Sequence, residues 1–165
     1  MENLSPPIKI KLVYALQEQI VPDSGPVYPV IPLPTDRYKE IGQVFLDAYR
    51  DTIDYEGESL DDAIHEVSRV INGGYGPLVV YASGAILVEG NIAAAVVVCI
   101  HNDTPFIPYL ITSKEFKGRG MASELLRHVL RKLSEAGFKR VELYVTKGNL
   151  AAEKLYEKFG FYAVE

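Results

Sequence analysis

The chain has 165 residues, 48% hydrophobic and 24% charged, which is one domain's worth of polypeptide with enough apolar surface for a core. Its net charge of −5 argues against non-specific nucleic-acid binding, and its single cysteine, Cys99, excludes an internal disulfide. No basic segment precedes an apolar one at the N-terminus, and the longest apolar run, residues 92–100, is far short of a bilayer span, so a cytoplasmic protein with no membrane partner is expected.

In chain order, "IKIKLVYAL" (8–16) reads as a first strand, and a Pro-rich connection that will not hold regular structure follows through Pro34. A helix is expected from Thr35 or Asp36 to Arg50, with Ile41, Val44, Phe45 and Ala48 on one face. After the acidic loop "DTIDYEGE", Ser59 can cap a second helix, in which Leu60, Ala63, Ile64, Val67 and Ile71 recur at helical spacing until "NGG". The segment "AILVEGNIAAAVVVCIHNDTPFIPYLIT" reads as three strands joined by hairpins at "EGN" and "HNDTP". Within it Cys99 is expected to be a buried small hydrophobe.

The period then changes. From Gly120, the residues Ala122, Leu125, Leu126, Val129, Leu130 and Leu133 form one helical stripe that stops at Gly137. "RVELYVT" (140–146) is a strand, Asn149 can cap the helix "LAAEKLYEKF" before Gly160, and "FYAVE" is a last short strand. The order is β-α-α-β-β-β-α-β-α-β, an α/β (mixed α+β) single domain over residues 1–165, with a mixed, mostly antiparallel sheet flanked by helices.

The stretch "KGRGMA" (117–122) brings backbone amides to the start of a helix, where four N–H groups lack partners and the dipole is positive. Glycine at 118 and 120 removes the Cβ that would hold a phosphate off the backbone. A Walker A loop is excluded, because the chain has no Gly-Lys dipeptide. A dinucleotide-binding loop stays as an alternative: "GRGMAS" follows a strand and opens a helix, although Ser123 replaces the third glycine. The charge is also uneven, six Lys/Arg against fifteen Asp/Glu in residues 1–113 and eleven against seven in 114–165, which suits ligands of opposite sign or a plain scatter of solvated groups.

Taken with "NLAAEKLYEKFGF", the loop resembles the GNAT superfamily of acyl-CoA-dependent N-acyltransferases. That family's phosphate loop reads Q/R-x-x-G-x-G/A and its last helix N-x-x-A-x-x-L-Y-x-x-x-G-F. Lys117, Gly120 and Ala122 match the first pattern, and Asn149, Ala152, Leu155, Tyr156, Gly160 and Phe161 the second. The resemblance covers residues 110–161, and residues 1–80 agree in arrangement only. It implies acetyl-CoA as cofactor and no metal. Backbone groups of Leu110, Ile111 and Thr112 would meet the pantetheine arm. The amides of Gly118, Arg119, Gly120, Met121 and Ala122, flanked by Lys117 and Ser123, would hold the pyrophosphate. Asn149 and Ala152 would contact the cofactor, and Tyr156 would lie near the thioester sulfur as general acid. Lys117 departs from the family pattern, a point charge in place of a planar donor.

The implied activity is acetyl transfer from acetyl-CoA to an amine of a small molecule or peptide; a catalytically silent CoA- or metabolite-binding regulatory module is the alternative. Only about one alkyl amine in 2,500 is neutral at pH 7, so a base is required. Glu142, Tyr144, His101 and Asp103 are candidates, as is a water relay; His101 also reads as an ordinary residue at a strand end, and His65 and His128 as exposed helix residues. The acidic loop, with Asp54, Glu56 and Glu58, borders the acceptor groove in GNAT-like folds and would favour a cationic acceptor, the alternative being a solvated loop with acids at a helix start. The oligomeric state stays open, a homodimer included.

Overall fold

The computed structural model describes residues 6–16 and 27–164. Its elements are β1 (Lys9–Ala15), β2 (Ile31–Pro32), α1 (Tyr38–Tyr49), α2 (Leu60–Ile71), β3 (Gly84–Val88), β4 (Asn91–His101), β5 (Thr104–Thr112), α3 (Met121–Glu135), β6 (Arg140–Thr146), α4 (Leu150–Phe159) and β7 (Tyr162–Val164). The strands form one mixed sheet in the order β2-β3-β4-β5-β6-β1-β7. Only β5 and β6 pair in parallel, as a crossover through α3 requires.

This is the expected order with one addition. The Pro-rich connection does hold a little regular structure: Ile31 and Pro32 pair with β3 at the edge of the sheet, where a residue without an N–H need cost no ladder bond. A 3-10 turn, Thr35–Arg37, then leads into α1. Residues 17–26 of that connection, and Glu165 of the last expected strand, lie outside the described residues. Both expected hairpins form. Their two-residue turns have positive φ at Glu89 and Gly90 and at Asn102 and Asp103, the twist that adjacent antiparallel strands prefer.

Helices cover the sheet on both sides. On one face Leu125, Leu126, Val129, Leu130 and Leu133 of α3 pack with Val96 and Val98 of β4 and Leu143 of β6. On the other, Ile41 and Val44 of α1 and Val67 and Val70 of α2 pack with Ala95, Val97 and Ile111. Central strand β4 is therefore buried on both sides, which accounts for its unbroken apolar run. Cys99 lies in it, fully buried, and burial pushes its thiol up to about 11. One helix histidine departs from expectation: His128 is half-buried beside Gly84 of β3, and burial first, then Lys132 and Arg131, lowers its pKa.

Candidate active site

β5 and β6 share a single register pair, Phe106 with Glu142, and no ladder joins them beyond it. Just past that pair β5 carries one more residue than β4 between Phe106 and Tyr109, so the bulge falls at Ile107 and Pro108, and Pro108 has no N–H for a ladder. The two strands part into a wedge. A cavity of about 720 Å³ fills it, lined by Pro108 and Leu110 of β5, Tyr144 and Thr146 of β6, and Ala152 and Tyr156 of α4.

The turn after β5 is built to expose backbone. Gly118 has φ 80° and Gly120 φ 84°, left-handed values that side-chain-bearing residues rarely adopt. Gly120 is the N-cap of α3 and offers no side-chain cap, whereas Ser59 and Asp62 form a capping box on α2 and Asn149 caps α4. The first amide bond of α3 runs from Glu124 to Gly120 at 3.1 Å, leaving the amides of Met121, Ala122 and Ser123 without intrahelical partners. Bare amides at a positive helix end suit a phosphate.

The basic side chains of this turn are engaged elsewhere. Lys117 donates to the Ala48 carbonyl near the end of α1 at 2.6 Å, and the Arg119 guanidinium lies 5.3 Å from the centre of the Phe116 ring. A second tie, which no local pattern signals, comes from Asp47 of α1. It accepts from the Ser113 hydroxyl and the Lys114 amide, each at 2.6 Å, and the Ser113 bond leads the causes that hold its carboxyl below the usual range.

Tyr156 is 8% exposed and packs edge-on against Phe161, 5.4 Å between ring centres. Burial, and then the negative charge of Asp54, raises its phenol pKa. Asn149 accepts from the Ala152 amide at 3.3 Å and donates to Asp54 Oδ2 at 3.0 Å. Leu110, Asn149, Ala152 and Tyr156 thus meet at one cavity. Ile111 does not join them, since its side chain lies 2% exposed in the α1–α2 core, and Thr112 pairs with Ala94 at the end of β5. Lys117 to Ser123 stand at the head of α3, outside the cavity's lining.

The opposite wall comes from α1, α2 and their loop, and no local pattern signals most of it. Glu66 accepts from the Tyr109 hydroxyl at 2.5 Å and from two Arg69 nitrogens at 3.1 and 2.8 Å. Phe45 meets both Tyr49 and Tyr109 edge-on at 4.8 Å. Asp54, Glu56, Glu58, Asp62 and Glu66 all line the cavity, and among the described residues Lys9 is the one Lys or Arg beside them. Only the Glu66–Arg69 spacing, i to i+3 on a helix, was readable as a pair.

Of the four candidate bases, His101 and Tyr144 line the cavity and Glu142 and Asp103 do not. Glu142 is paired with Lys11 and Arg140, each at 3.3 Å. His101 Nδ1 lies 3.0 Å from the Tyr75 carbonyl. A carbonyl only accepts, so Nδ1 carries the hydrogen, and in the neutral ring Nε2 keeps its lone pair.

The model of the "Acetyltransferase (GNAT) family" matches residues 40–161. The N-alpha-acetyltransferase MAK3 of Arabidopsis thaliana is 36% identical over 56 residues, 34% of this chain and only 30% of that protein. A GCN5-related N-acetyltransferase from Sphaerobacter thermophilus superposes with TM-score 0.71 at 14% identity, over 96% of this chain and 49% of that one, so the chain spans about half of that structure's length. The paiA N-acetyltransferase of Thermoplasma acidophilum, solved in complex with coenzyme A, superposes with TM-score 0.68 at 16% identity over 83% of this chain and 91% of that one. At these identities the two structures share the fold. Among the described residues no helix is long and apolar enough to cross a membrane.

Proposed function

The chain belongs to the GNAT family of acetyltransferases, and from that premise we propose that it transfers an acetyl group from acetyl-CoA directly to a cationic amine in a cytoplasmic setting. The observation that carries this reading is the wedge between β5 and β6, whose cavity holds the buried Tyr156 and, among the described residues, five carboxylates. The coenzyme A held by the paiA relative supports the donor, and the MAK3 similarity supports a peptide amine as one acceptor class beside small amines.

The chain's own residues suit that donor. The amides of Met121, Ala122 and Ser123 would take the pyrophosphate, with no Cβ at Gly118 or Gly120 to hold it off. The parted edge of β5, at Leu110 to Thr112, would follow the arm toward Tyr156. When bound, acetyl-CoA supplies a thioester carbon to which the acceptor nitrogen bonds as the C–S bond breaks.

Protonation sets what the residues must do. The acceptor arrives as an ammonium, held by the charge of Glu56 and Glu58, and must lose its proton before it can attack. His101 Nε2 is the group best prepared to take it. Tyr156 donates to the sulfur as negative charge grows there. Moving the whole proton from a phenol of pKa about 10 to a thiolate whose acid has pKa about 8.5 is uphill by about 2 kcal/mol. Burial raises the phenol further, so Tyr156 acts first as a hydrogen-bond donor to the departing sulfur.

A thiol-release assay with acetyl-CoA against small amines, diamines and peptide N-termini tests the reading, paired with a thermal shift comparing CoA with NAD. Stabilisation by CoA and amine-dependent thiol release are expected. Stabilisation without release for any amine would support a silent binding module, and stabilisation by NAD alone would return the loop to the dinucleotide reading.

A further inference from the structure

Asp54 lies in the loop between α1 and α2, yet its carboxylate is bound by the other end of the chain. Oδ1 accepts the Thr146 hydroxyl at the end of β6, with the Lys9 ammonium 3.5 Å away, and Oδ2 accepts the Asn149 amide at 3.0 Å. Lys9 also donates to Thr146 Oγ1 at 2.7 Å, closing the cluster, and the Asp54 side chain is only 14% exposed. Next to it Ile53 packs on the β6–α4 turn, its Cδ1 3.3 Å from where a Cβ on Gly148 would stand.

We propose that Asp54 is a positioning residue for acetyl transfer: by holding Thr146 and Asn149 it fixes the start of α4, and with it Tyr156, against the loop that walls the acceptor side. This rests on the reading of Tyr156 as donor to the sulfur. Asn149 uses its oxygen to cap α4 and its amide to reach Asp54, so the cap rotamer and the loop are set by one contact. Tyr156 stands seven residues on, two helical turns along, and follows any tilt at the helix start. The loop between Arg50 and Ser59 contains no helix or strand, and the ion pair of Asp51 with Lys114, 2.5 Å, ties it toward the end of β5 rather than toward α4. Asp54 is therefore set apart from Glu56 and Glu58. Its charge is already compensated by Lys9 and two hydrogen-bond donors, which leaves it poorly placed to recognise substrate and well placed to hold the frame. The same negative charge also helps burial keep Tyr156 protonated.

Misplacement of a reacting group by about 1 Å can cost on the order of 100-fold in rate. Asp54→Asn keeps the shape but leaves one acceptor oxygen for the two donors, so Thr146 and Asn149 can no longer both be held. It is expected to lower kcat about 10- to 100-fold with KM for acetyl-CoA unchanged within a few fold. The same substitution in Tyr156→Phe should lower kcat by less than about twofold, because the group it positions is gone. Thr146→Val, which removes one donor and adds no amide, should show a smaller loss absorbed in the same way, and it carries the cycle if Asp54→Asn fails to fold. Unchanged kcat in Asp54→Asn, or a loss that persists in full in Tyr156→Phe, overturns the proposal while leaving Tyr156 as donor. Wild-type kcat in Tyr156→Phe alone overturns both.

Discussion

The phenol of Tyr109 donates a 2.5 Å hydrogen bond to the carboxylate of Glu66, joining β5 to α2 across 43 positions of sequence. Burial pushes the Glu66 carboxyl up, but the bonds from Arg69 and Tyr109 outweigh it and hold the group below the usual range. A carboxyl lowered on folding adds stability above its unfolded pKa, about 4.3, and that contribution disappears as pH falls through the folded value. Glu66→Gln should thus flatten the fall in Tm on the acid side of about pH 4.3, and cost roughly 1–3 kcal/mol at pH 7. An acid limb as steep as that of the wild type, followed by circular dichroism from pH 7 to 3, would show that Glu66 is not its source.

Gly120→Val should abolish stabilisation by CoA. At φ 84° a β-branched residue is strained by about 1–3 kcal/mol, so the turn that presents the α3 amides should be disturbed. The measurement is the thermal shift with saturating CoA, read against the variant's own baseline. A full shift would put the phosphate site elsewhere.

Tyr156→Phe keeps the ring against Phe161 and removes only the donor. A loss in kcat of about 100-fold or more at pH 7 is expected, with CoA affinity within a few fold. Because the folded environment raises the phenol pKa, Tyr156 stays protonated and no loss from its ionisation should appear below about pH 10. The deficit should shrink for donors with a more acidic leaving thiol.

His101→Gln should reduce kcat by about 10² to 10⁴ for an alkyl ammonium acceptor, the range a positioned base contributes. An acceptor already neutral at the assay pH, such as an aromatic amine, should be affected far less. Equal losses for the two acceptors would assign proton removal to water or to another group.

Glu56→Gln combined with Glu58→Gln should raise KM for a cationic acceptor several-fold and weaken its salt dependence, with kcat little changed. Asp54 stays intact in this variant, since neutralising it would loosen the frame as well as the charge. Unchanged kinetics at low and high salt would remove the acidic wall from acceptor binding.

The parts of this protein that are legible in sequence are those whose cause is local. The α3 stripe from Ala122 to Leu133, the Asn149 cap and the glycines at 118 and 120 each follow from periodicity or backbone geometry within one turn of chain. That is why these local features of the segment from Leu110 to Tyr156 can be read from the string alone. The two-residue strand β2 was not legible, because its pairing with β3 lies more than 50 residues away and Pro32 argues against a strand until its edge position is known.

The cavity wall formed by α1, α2 and their loop is decided by tertiary structure. Lys117 reads as a phosphate ligand in its motif, but its ammonium is taken by the Ala48 carbonyl, 69 positions earlier. Asp54, Glu56 and Glu58 look alike in the string "DYEGE", and only the approach of Thr146 and Asn149, 92 and 95 residues on, makes one of them a tether and leaves the other two facing the cavity. A side chain's pattern records what its own helix or strand needs from it. Which distant donor reaches its charge first is set by how the sheet and helices close around it.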